Sequence, residues 1–94
     1  MYMAEYTFIP FPYLSNTGFD YPIDVKYGTI YLGTLLTSPD GFVIHTVDTP
    51  NGKQVIKPTG NNKFKTQNIA AQVLHKTWKM YRHGGESQGS YANN

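Results

Sequence analysis

The sequence predicts an α+β domain: an antiparallel three- to four-stranded meander packed on one C-terminal helix, with an extended aromatic N-terminal arm. Three observations carry this expectation. Residues 23–58 alternate apolar and polar side chains at the period of half-buried strands. Ser38-Pro39-Asp40-Gly41 and Thr49-Pro50-Asn51-Gly52 repeat one turn chemistry, in which proline presets the first central position and glycine accepts positive φ. Residues 66–82 place most of their apolar side chains on one face of a helix.

Residues 1–22 hold Tyr2, Tyr6, Phe8, Phe11, Tyr13, Phe19 and Tyr21, punctuated by Pro10, Pro12 and Pro22. Prolines at this spacing block a helix and a central strand. The aromatic area argues against disorder, so the segment reads as an ordered arm packed over the domain. The alternative is an aromatic docking surface.

The domain proper spans 23–83. Ile23, Val25 and Tyr27 alternate with Asp24 and Lys26 as a first strand, and Gly28 marks a turn. The next strand puts Ile30, Leu32 and Leu36 on one side and Tyr31 and Leu35 on the other. Gly33 within it signals a bulge or a close backbone approach. Phe42, Ile44 and Thr46 then oppose Val43, His45 and Val47 in a third strand, and Lys53 to Pro58 form a shorter fourth. Thr59 to Lys65 is a loop by composition, anchored by Phe64. Thr66 is the expected N-cap, without a full capping box because Ile69 stands at the third position. Ile69, Ala70, Val73, Leu74, Thr77, Met80 and Tyr81 form the expected apolar face, opposite Asn68, Gln72, His75, Lys76, Lys79, Arg82 and His83. Gly84-Gly85 stops the helix, and residues 84–94 read as a flexible polar tail.

Helix and meander pair most economically as two layers. The second sheet face is then expected to show Tyr31, Leu35, Val43, His45 and Val47, an apolar set that needs a cover from the arm or from a partner.

Charge is unevenly laid out. Residues 1–48 carry Glu5, Asp20, Asp24, Asp40 and Asp48 against Lys26 alone. Residues 49–85 carry Lys53, Lys57, Lys63, Lys65, Lys76, Lys79 and Arg82 with no acid. Such asymmetry points to an acidic partner, nucleic acid being the commonest. The competing reading is that acidic strands and basic segments lie side by side and neutralise one another.

The chemistry of an enzyme is not visible. The 94 residues allow one domain with a modest core. Without cysteine there is no disulfide, thiolate ligand or thiol nucleophile. His75 and His83 are about 12 Å apart on a helix, too far to share a metal. Asp40 and Asp48 are explained by turns. No catalytic residue, metal or cofactor is expected. No apolar run approaches the roughly 20 residues of a membrane span, and the N-terminus lacks a basic stretch followed by an apolar one. A cytoplasmic protein without membrane contact is therefore expected.

One resemblance adds to this. The segments Tyr31-Leu32-Gly33-Thr34 and Phe64 to Arg82, with Phe64-x-Thr66 ahead of the Ala70-Ala71 pair, resemble small three-strand-plus-helix DNA-binding domains. These are the ethylene-response-factor type of plants and the arm-binding type of tyrosine recombinases. The resemblance covers about residues 23–82. It implies a sheet that reads DNA and a structural helix seated close to the sheet through its alanine pair. The strand arginines and tryptophans that touch DNA in the plant family have no counterparts here, so it carries over the architecture and no base contact.

The expected function is a small nucleic-acid-binding module, mainly directed at the phosphate backbone, a regulatory factor of a mobile element, phage or bacterium. DNA is expected ahead of RNA. Lys53, Lys57, Lys63, Lys65, Lys76, Lys79 and Arg82 are its candidate contacts, on the sheet with Lys26 or along the helix. The alternative is an interaction module, an inhibitor or accessory subunit, binding an acidic protein partner through Tyr6, Phe8, Phe11, Tyr13, Tyr31 and His45, or forming a homodimer through a sheet edge.

Overall fold

A computed structural model of the chain describes residues 5–16, 20–57 and 62–83. The predicted tail 84–94 and parts of the predicted arm and loop lie outside the described residues. The strands are β1 (Tyr6–Pro10), β2 (Pro22–Tyr27), β3 (Ile30–Ser38), β4 (Gly41–Thr49), β5 (Gly52–Val55) and β6 (Lys63–Phe64), followed by helix α1 (Gln67–His83). They form one antiparallel sheet in the order β1-β2-β3-β4-β5, with β6 pairing the start of β4. The predicted meander and its single C-terminal helix are present, and the sheet is wider than expected.

The first extra strand comes from the arm. β1 runs along β2 from Tyr6 opposite Tyr27 to Pro10 opposite Ile23. The prolines exclude a central strand but not an edge one. Pro10 is the last residue of the edge strand, and Pro12 opens a short 3-10 turn over Pro12–Leu14. The second comes from the predicted loop. Lys63 and Phe64 pair with Val43 and Phe42, and Phe64 packs on the core as expected. Between β5 and β6, the buried Asn62 side chain does a strand's work. Its Oδ1 accepts the Ile44 amide at 3.3 Å, and its Nδ2 donates to the Ile44 carbonyl at 3.1 Å. This satisfies backbone groups of β4 where neither short strand reaches.

Both proline turns form as predicted, with Ser38 opposite Gly41 and Thr49 opposite Gly52. Two bulges then decide the faces. Lys26 opposes Tyr31 while Val25 opposes Gly33, leaving Leu32 as an extra residue. Thr34 opposes Thr46 while Leu35 opposes Ile44, leaving His45 as the other. Each insertion reverses the alternation beyond it. Leu32 and Leu35 are consequently both buried on the helix side, as are Ile44 and Val47. This corrects the second-face set: Leu35 and Val47 belong to the core, and Thr34 and Thr46 take their place, sharing a buried hydroxyl hydrogen bond of 2.7 Å. Ile30, expected beside Leu32, is 42% exposed.

Helix α1 begins as predicted, with the Thr66 hydroxyl accepting the Ile69 amide at 3.1 Å. Ala70, Ala71 and Leu74 have no exposed surface and join Ile23, Val25, Leu32, Leu35, Ile44 and Val47 in one core. The apolar face is rotated from the predicted one by roughly 60° at 100° per residue, toward Ala71 and Trp78. Ile69 and Met80 are corrected to exposed positions, 45% and 54%. The cause is the alanine pair: the side of a helix with the smallest side chains approaches a sheet most closely, and that approach sets the rotation.

Candidate basic and aromatic surfaces

The structure divides the predicted basic residues into engaged and exposed groups. Lys63 of β6 pairs with Asp40 in the β3–β4 turn at 3.0 Å. That contact, followed by the Ser38 hydroxyl, holds the Asp40 carboxyl below its usual value. Arg82 reaches the Asp48 carboxylate at 3.0 Å and stacks on the Trp78 ring at 4.6 Å. The Lys53 ammonium lies 5.3 Å from the centre of the Tyr31 ring. Side-by-side neutralisation therefore accounts for part of the charge asymmetry. Lys57, Lys65, Lys76 and Lys79 are exposed and have no ion-pair partner among the described residues.

The predicted aromatic surface also divides. Tyr6 and Phe8 pack against the core from β1. The Tyr6 ring lies 5.1 Å from Tyr27, and its hydroxyl is 2.9 Å from His75 Nδ1. The sequence pattern alone places His75 on the outer helix face. Its position three residues before Trp78, on the flank toward which the helix is rotated, is the signal that could have found it. Phe11 and Tyr13 meet edge to face at 6.0 Å, and Tyr13 is 76% exposed. With Leu14 and Pro22 they line an open cleft of about 420 Å³ on the sheet face away from the helix, completed by Asp24, Thr34, His45, Thr46 and Lys53. The arm thus borders this face through Phe11, Tyr13 and Leu14 and leaves the cleft between them open. Tyr31 stands beside the cleft, its hydroxyl 3.5 Å from Asp24 Oδ1.

The Tyr6–His75 contact has a pH consequence. With the imidazole proton on Nε2, the tyrosine hydroxyl donates to Nδ1, and protonation of Nδ1 removes that acceptor. Burial, and then the Lys79 ammonium, push the His75 pKa below its usual 6.5. The folded state binds this proton less readily than the unfolded chain. The stabilisation is therefore complete above the unfolded value and declines as pH falls through it toward the folded value. Tm should fall as pH is lowered from about 7.5 to about 5.5, and His75→Gln should flatten that dependence. An unchanged slope in the variant would remove His75 as its source. Asp40 titrates below this window.

Among the described residues no three of His, Asp and Glu come together as a metal site, and no helix is long and apolar enough to cross a membrane. No protein-family model, curated protein or solved structure matches the chain.

Proposed function

We propose that the domain is a cytoplasmic nucleic-acid-binding module that meets the phosphate backbone with the outer face of α1. One observation carries the reading: α1 contains no acidic residue and exposes Asn68, Gln72, Lys76 and Lys79 along one ridge, with Lys65 exposed just ahead of it. Amides and ammonium groups are the donors that phosphate oxygens accept. The sheet face is the weaker surface for this partner, because Phe11, Tyr13 and Leu14 stand over it and Asp24 lies within it. This departs from the sheet-first docking that the family resemblance implies, although the same resemblance leads us to place duplex DNA ahead of RNA.

Contact through Lys65, Lys76 and Lys79 releases few counterions. The logarithm of the binding constant should fall with the logarithm of salt at a slope of about −2.7 on duplex DNA. Fluorescence anisotropy on a generic duplex and a generic single strand measures this. Changing Lys76 and Lys79 together to alanine should reduce the slope to about −0.9 while altering stability by less than about 0.5 kcal/mol. Absence of binding at low salt, or an unchanged slope in the variant, would remove the helix face as the interface.

A further inference from the structure

The outer edge of β5 offers a second surface. Gly52, Lys53, Gln54 and Val55 are all exposed, and among the described residues β5 pairs only with β4. The Ile56 amide donates to the His45 carbonyl at 2.8 Å. In an antiparallel pair each residue directs both backbone groups to the same side, and successive residues alternate. Gln54 and Ile56 therefore bond to β4, whereas Lys53 and Val55 direct their N–H and C=O groups away from the sheet. The same period groups their side chains. Val55 opposes Thr46 and is 63% exposed, Lys53 lines the cleft, and Ile56 packs toward the core, which leaves Lys57 on the side of Lys53 and Val55. The edge thus presents a cation, an aliphatic side chain and a cation at alternate positions.

We propose that this edge accepts an extended acidic segment of a partner protein as an added strand, one with an acid–x–aliphatic–x–acid pattern. The free backbone groups supply the ladder, and the side-chain order selects the sequence. Charge decides between this occupant and a second copy of the chain. Pairing β5 with itself about Val55 sets each Lys53 opposite the Lys57 of the other copy, and like charges directly opposite are destabilising. Edge lysines are a common guard against self-association, and the same lysines favour an acidic strand.

The probe is a dye-labelled peptide, TETVTET, with TKTVTKT as its charge-inverted control. The full chain should bind the acidic peptide at least about tenfold more tightly than the control. Amide hydrogen exchange should slow at Lys53 and Val55 and not at Gln54. Val55→Pro removes an outward N–H without touching the β4 ladder, so it should abolish binding in a protein that stays folded. Should that variant unfold, Lys53→Glu with Lys57→Glu tests the same edge and should exchange the peptide preference. Equal binding of the two peptides, or no protection at Val55, overturns the proposal. So does concentration-dependent dimerisation lost in Val55→Pro, which assigns the edge to a second copy. Lys76→Ala with Lys79→Ala should leave peptide binding unchanged, so this outcome and that of the duplex titration are read separately.

Discussion

Gly33→Ala should destabilise the domain by about 2–6 kcal/mol, a large part of the stability of a chain this size. Gly33 has a φ of +150° and lies opposite Val47. A Cβ at this position would stand 2.2 Å from the Thr46 carbonyl oxygen and 2.9 Å from the Val47 Cα. Both obstructions are backbone atoms of the central strand β4, so no side chain can swing aside. Relief requires moving the ladder itself, and Gly33 sits between Leu32, the extra residue of β3, and the Thr34–Thr46 pair at which the bulge of β4 begins. Moving it would disturb the register that brings Leu32, Leu35, Ile44 and Val47 together. Urea unfolding followed by circular dichroism measures the effect. A midpoint within about 0.5 kcal/mol of wild type would show that β3 can slide without cost and that the bulges do not set the core. Gly52→Ala is the control, because a Cβ at Gly52 would meet nothing within 4 Å, although its φ of +114° leaves a conformational cost.

The same residue marks how far the sequence could be read. Gly33 in a strand announced a bulge or close approach, and both are present. The number of residues a bulge inserts was not legible, because either parity gives an acceptable apolar pattern for Leu32 through Leu36. The face assignment therefore failed for Leu35 and Val47, although their strands were placed correctly. The proline-glycine turns and the Thr66 cap were legible, since each is fixed by local backbone chemistry. The β1 strand was not, because its prolines fit an edge strand and an irregular arm equally well. The candidate surfaces follow the same division. The acid-free run from 49 to 85 was plain in the sequence, but ion pairs join residues distant in the chain. Arg82 with Asp48 and Lys63 with Asp40 needed the fold to be seen. The Asn62 side chain within the ladder left no sequence signal beyond a residue type common in loops.

Leu74→Ala tests the helix rotation on which the proposed phosphate-binding ridge depends. Leu74 has no exposed surface and packs with Ala70 and Ala71 against the sheet. Its loss should cost about 2–5 kcal/mol, toward the upper end because the sheet beneath it cannot readily collapse into the space. By itself this effect does not fix the rotation, since Leu74 lies on the apolar face under both the predicted and the observed settings. Met80 and Ile69 do. At 54% and 45% exposure, each should lose no more than about 0.5 kcal/mol on truncation to alanine. If Met80→Ala instead approaches the cost of Leu74→Ala, the helix is turned by roughly 60° from its position here. Lys76, about 40° from Met80 on the wheel, would then lean toward the sheet margin, and Trp78 and Ala71 would turn outward. A phosphate-binding ridge of Lys76 and Lys79 requires the observed rotation: a large loss at Leu74 with small ones at Met80 and Ile69.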